Sequence, residues 1–407
     1  MIVQDPAMVT SDNPAASRRR LRLQPYLTLE PVLLAALTLL AIVAFVAVSG
    51  LSRLYHAQQM SLGSRWFTRG VSDLDAGHFD PAVLEFHTAL RYSRDNYSYQ
   101  LHLAQALLGL NHTSESYAYL INLWEREPEN GLVNLLLARL AARDGTTEQV
   151  QRYYHNAIYA TWPNDRELQR REARIELIEY LLKIKADEQA QSELIALAAN
   201  LGDDPAQQIR VGNLFMRAQD YQHALAAYLT ALKLDHRNET AMAGAGWAAF
   251  ETGQYSVAQR YLQSAIDIAP GDAQSRERLK TTELVLQMDP FSRGLSAAHR
   301  NRIVVDAFAA AGDRMKSCGI SPSTTNANSG AKSTGSPAAL SSPPNLADSW
   351  AELKPRINER GLERDPDLVE SAMDLVFESE RETAATCGNT SELDQALLLV
   401  AKLHEGR

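Results

Sequence analysis

The sequence predicts an all-α chain: one membrane-spanning helix, then tandem helix hairpins, then a small helical unit. Three observations carry this. Residues 205–238 and 239–272 form two blocks of 34 residues that align without a gap. Small residues recur in both at position 8 (Gly212, Gly246), position 20 (Ala224, Ala258) and position 27 (Ala231, Ala265). Near the amino terminus, Pro31 to Val48 is a run of 18 residues without a charge. The block pattern has a mechanical reason. Two helices pack closely only where small side chains let their backbones meet, and large residues fill the space between. Position 24 supplies those (Tyr228, Leu262), an aromatic stands at position 17 (Tyr221, Tyr255), and Pro270 falls at position 32. One hairpin cannot bury its apolar face alone, so copies stack.

Taken in order, residues 1–17 are polar with Pro6 and Pro14, and Arg18, Arg19, Arg20 and Arg22 form a basic cluster. Residues 1–30 thus read as a disordered, basic tail. Residues 31–51 as a helix span roughly 30 Å, enough for a bilayer core. An uncleaved anchor, a cleaved signal with Ala47-x-Ser49 at its processing site, and a buried soluble helix all fit such a run. Its length, beyond that of a signal's apolar region, favours the anchor. Four arginines precede it and only Arg53 follows closely, which places the amino terminus in the cytoplasm. In a bacterium this is the inner membrane, with the bulk of the chain periplasmic.

The same template fits upstream. Block 63–96 has Trp66, Gly70, Gly77, Phe79, Ala82, Phe86 and Ala89 in register. Block 97–130 has Leu103-Ala104, Leu120 and Pro128; block 131–164 has Leu137-Ala138, Gly145, Tyr154 and Ala157. Six extra residues, 165–170, break the period before block 171–204, where Ile178 replaces the small residue at position 8. Six repeats thus cover 63–272. Residues 273–318 hold a polar helix to about Gln287, suited to cap an open end, and an amphipathic one over 295–316. Residues 319–345 are rich in Ser, Pro, Asn, Thr and Gly and read as a flexible linker. In 346–407, Trp350 and Leu353 open one helix. Asp365-Pro366-Asp367 starts a second, with Leu368, Ala372, Leu375, Val376 and Phe377 on its apolar side. Ser391-x-x-Asp394 opens a third, burying Leu397, Leu398 and Leu399. So small a unit is marginal alone and is expected to fold back on 295–316 or on a partner.

The blocks resemble the tetratricopeptide repeat family. That resemblance implies a right-handed superhelix, an α-solenoid, whose first helices line a concave groove with positions 9 and 13 of each repeat. Carried over residue by residue, the middle of the groove collects Arg139, Arg143, Lys183, Asn213 and Arg217, and Trp247 ends it. The set looks like a clamp by which some family members hold an acidic peptide or a chain's terminal carboxylate. Guanidinium forks and an amide suit a carboxylate because their hydrogen bonds converge. Charges that merely keep the groove solvated fit the same residues.

The two cysteines, Cys318 and Cys387, each precede a glycine. In an oxidising periplasm they are candidates for a disulfide. The bridge would close a loop of about 68 residues, worth roughly 4 kcal/mol in the loop-closure account. Two unpaired thiols fit the sequence too.

The net charge of −9 argues against a nucleic-acid binder. Two cysteines exclude a four-cysteine zinc site, and no CxxCH is present. There is no phosphate-binding loop, GxSxG or HExxH, and His78, His87, His102 and His112 are not at ligand spacing. The expectation is a non-enzymatic adaptor without cofactor or metal, anchored in lipid by one helix and gripping an envelope protein's segment. A self-associating structural protein, and an array that localises a regulatory tail, are the rival readings.

Overall fold

The computed structural model describes residues 29–162, 167–320, 346–388 and 391–405. The basic cluster at Arg18–Arg22 and nearly all of the expected linker lie outside the described residues. The chain divides between Pro128 and Glu129 into two compact units.

The first unit opens with α1, Leu29–Asp75, one helix of 47 residues. At ~1.5 Å per residue it is roughly 70 Å long, over twice a bilayer core. Separate helices were expected at 31–51 and from residue 63. The chain between them, 52–62, holds neither proline nor glycine, so nothing interrupts the backbone and the two fuse. The apolar half is uncovered: Leu37, Leu40, Phe45 and Leu51 are exposed, and its best window has a mean hydropathy of 2.8. The other half packs on α2 (Phe79–Tyr92), followed by α3 (Tyr97–Gly109) and α4 (Thr113–Arg126). Gly70 is glycine for a packing reason. A Cβ there would lie 2.6 Å from the Phe86 ring. Phe67 stacks on Tyr99 at 4.8 Å between centroids and joins Phe86, Leu103 and Leu107 in the core.

The second unit continues with hairpins α5 (Gly131–Asp144) with α6 (Thr147–Tyr159), α7 (Glu167–Lys183) with α8 (Asp187–Ala198), α9 (Pro205–Arg217) with α10 (Tyr221–Leu234), and α11 (Glu239–Glu251) with α12 (Tyr255–Ile268). Each packs on the next, and first helices also touch one another, α9 on α11 and α11 on α13 (Ala273–Met288).

The sequence period reappears in the backbone. The fifteenth residue of each of the six blocks is left-handed: Gly77 (φ +77°), Asn111 (+63°), Gly145 (+76°), Lys185 (+59°), Gln219 (+58°) and Gly253 (+73°). The last residue of a block caps the next helix. Asn96, Asn130, Asp204, Asn238 and Asp272 each accept from a backbone N–H two or three residues on, at 2.9–3.2 Å. Part of the extra segment is not a break: Glu167–Arg170 form the first turn of α7, which reaches 17 residues. Ile178 is fully buried there.

Past the hairpins lie α14 (Ala297–Ser317), α15 (Leu346–Leu353), α16 (Glu359–Arg364), α17 (Leu368–Cys387) and α18 (Glu392–Leu403). Here two expectations need correction. Helix α13 does not cap an open end, because α18 lies against it. Leu398 and Leu399 are half-buried, whereas Ala396, Leu397, Val400 and Ala401 carry the buried side. The tail folds back on α14, where Phe308 and Trp350 stack at 3.7 Å, and one apolar core runs from Ile175 to Ala401.

Candidate functional site

Polar contacts between first helices join them into one face. Arg139 on α5 forks onto Glu176 on α7, Nε to Oε2 at 2.9 Å and Nη2 to Oε1 at 2.7 Å. Arg210 on α9 reaches Glu172 on α7 at 2.9 Å, and Arg171 donates to Gln207. Arg278 on α13 meets Glu251 on α11 at 2.5 Å. The second helices are joined likewise, Gln151 to Gln189 at 2.6 Å between α6 and α8.

The expected clamp is therefore divided. Arg139 spends its fork on Glu176, which also accepts from the Tyr154 hydroxyl at 3.1 Å. The Arg139–Glu176 hydrogen bond holds the guanidinium's pKa above its ordinary value. Asn213 accepts from the Tyr228 hydroxyl at 2.6 Å. Trp247 donates to Ser275 at 3.3 Å and lies under the Arg278 guanidinium, 5.4 Å from the ring centre. Arg143 is exposed and is not among the cavity-lining residues. Only Lys183 and Arg217 come together as expected. With Tyr154, Glu176, Glu179 and Tyr180 they line an open cavity of about 540 Å³. Its two cations face two carboxylates, so the middle of the face is mixed in charge and not basic. Burial first, and Glu176 second, push the Tyr154 hydroxyl's pKa above its ordinary value, so it stays a neutral donor.

A larger cavity, about 850 Å³, lies where α11, α13 and α18 meet. Trp247 and Phe250, with Leu398 and Leu399, give it apolar walls; Gln274, Glu277, Arg278, Gln395 and Lys402 give it polar ones. The share of α18 in this cavity has no signature in the sequence. Lys280 and Glu392, which meet at 2.5 Å beside it, are 112 residues apart, and no periodicity links them.

Helix α18 is held by a buried arginine. Arg314 donates from Nε to Thr383 Oγ1 at 2.7 Å and from Nη2 to the Gly388 carbonyl at 2.6 Å. It also pairs with Asp394 and lies 3.4 Å from Glu380. One turn beyond it, the sulfurs of Cys318 and Cys387 are bonded, with Cα atoms 6.0 Å apart. Among the described residues, no group of three or more His, Cys, Asp or Glu is placed to hold a metal.

No protein-family model matches the sequence, and no curated protein does either. Similar solved structures are helical-repeat proteins. YrrB, a TPR protein described with an unusual peptide-binding site, is 16% identical over 48% of this chain and 97% of its own, TM-score 0.38. The Pseudomonas aeruginosa protein pilF is 14% identical over 54% of this chain and 97% of its own, TM-score 0.39. The C-terminal part of a TPR repeat-containing protein from Cytophaga hutchinsonii is 12% identical over 62% and 92%, TM-score 0.43.

Proposed function

We propose that this chain is a membrane-anchored scaffold of the tetratricopeptide type, which grips a segment of another protein along the face built by its first helices. One observation carries the reading: two open cavities lie on that face, and Lys183 and Arg217 make no hydrogen bond or ion pair there among the described residues. Protein segments bind such concave, partly apolar sites through a few anchors and converging polar groups. The partner is an envelope protein presenting an acidic segment to Lys183 and Arg217. The apolar half of α1 crosses the bilayer, with the amino terminus in the cytoplasm and the hairpins outside it. The uncovered leucines and the arginines that precede them support that orientation. The array is a holder, and it transforms nothing.

The test is photo-cross-linking in membranes from a probe placed at Glu179, on the wall of the same cavity, with and without Lys183→Glu plus Arg217→Glu. Loss of at least tenfold of the cross-linked partner supports the grip. Equal yield from the charge-reversed protein removes it. Protease added to intact spheroplasts checks the compartment: the hairpins are cut only if they face outward.

A further inference from the structure

We infer that the Cys318–Cys387 bond is a site of thiol–disulfide exchange, and that its state decides whether α18 stands as a wall of the Trp247 cavity. The consequence for partner binding rests on the proposed function; the exchange and the movement of α18 do not.

Position comes first. Cys318 is the first residue past α14, and Cys387 is the last residue of α17. Both are followed by glycines in the left-handed region, Gly319 (φ +74°) and Gly388 (φ +73°). Four residues, Gly388 to Ser391, separate Cys387 from α18. A restraint on Cys387 is therefore a restraint on where α18 begins. Access comes second. Cys387 is exposed and Cys318 half-buried, so an incoming thiolate meets the Cys387 sulfur first.

Besides its short apolar side, Ala396, Leu397, Val400 and Ala401, which is buried in the core, α18 is attached by polar contacts at its two ends. The Lys280–Glu392 pair is mostly exposed, 63% and 55%, and such pairs hold weakly. His404 Nε2 and Asp289 Oδ1 lie 2.9 Å apart at the far end. At the near end, Asp394 pairs with Arg314 and closes the capping box with Ser391. Burying one guanidinium with two carboxylates returns little net stability, because desolvation offsets the attraction. Twelve residues are too few for a helix to persist in water without packing. The covalent link is thus the restraint that a chemical signal can remove.

The exchange balances with a dithiol as reductant. One donor thiolate attacks Cys387 Sγ, forming a mixed disulfide while Cys318 leaves with the electron pair and takes a proton. The second donor thiol displaces Cys387, which is protonated in turn. The donor ends as a disulfide, having supplied two electrons and two protons. Oxidised, the cavity has α18 as a wall, with Leu398, Leu399 and Lys402; reduced, the α11–α13 face lies open to a longer segment.

The experiment uses the full chain in detergent, with dithiothreitol as the probe, thiol alkylation to score the bond, and amide exchange followed by mass spectrometry. Exchange over 392–403 at least tenfold faster on reduction, with α5–α12 unchanged, supports the inference. A Cys318→Ser plus Cys387→Ser variant should exchange at the reduced rate with or without dithiol. Unaltered protection of α18 once the bond is cut, loss of protection throughout α5–α12, or two free thiols before any reductant would each overturn it.

Discussion

Arg139 and Glu176 stand 37 residues apart and meet in a two-pronged fork across adjacent first helices. A residue that faced a ligand in the sequence reading thus faces its own neighbour. The side chains are 44% and 28% exposed, so their coupling should be about 0.5–1 kcal/mol. A double-mutant cycle of Arg139→Ala and Glu176→Gln on thermal unfolding measures it. Glu176→Gln also frees a guanidinium and removes one of two cavity carboxylates. Affinity for an acidic segment should rise about fivefold, equal to about 1 kcal/mol. Titration calorimetry with the cross-linked segment's sequence decides, and weaker binding would count against a basic anchor there.

Lys185 and Gln219 hold left-handed backbone that costs a side-chain-bearing residue about 1 kcal/mol or more. Lys185→Gly and Gln219→Gly should each stabilise by about 0.5–1 kcal/mol, after the entropy that glycine loses on folding. Gly145→Ala should cost about as much. Thermal midpoints moving in these opposite directions would confirm that position 15 is set by backbone shape.

Tyr228 lies between two glycines. A Cβ on Gly212 would come within 2.8 Å of its ring, and Gly244 meets the same ring from α11. Alanine gains about 1 kcal/mol of helix propensity, but overpacking costs about 1–3 kcal/mol. Gly244→Ala should therefore destabilise the wild-type chain and lose that cost in a Tyr228→Ala background. A destabilisation that persists without the ring would show that the glycine serves something else.

This pairing shows what the sequence carried. A glycine at position 8 and a large residue at position 24 are both visible as letters, and Gly70 with Phe86, Gly212 with Tyr228 and Gly246 with Leu262 all meet. The Asn or Asp at position 34 was equally visible but looks like any polar turn residue until its cap bond is seen. Lys185 and Gln219 hide their conformation, because neither residue type favours it. The clamp could not be read, since whether Arg139 faces a ligand or Glu176 depends on how two helices align. Arg314 with Asp394, 80 residues away, has no local signature.

Glu380 is fully buried beside Arg314, which already pairs with Asp394. Two carboxylates share one guanidinium, and burial pushes the Glu380 carboxyl up to about 7 from its ordinary 4.5, with Arg314 acting against the rise. A folded pKa above the unfolded one means that the folded chain holds the proton more tightly. The stability this contributes is complete below about pH 4.5 and is lost as pH climbs through about 7. At about 1.4 kcal/mol per decade, the loss approaches about 3 kcal/mol. Amide protection of α17 should then fall about a hundredfold between pH 5 and pH 7.5, after correction for intrinsic exchange. Glu380→Gln keeps the shape without the charge and should flatten that fall. A wild-type α17 better protected at pH 7.5 would mean that Glu380 is ionised inside the fold, with Arg314 serving both acids at once.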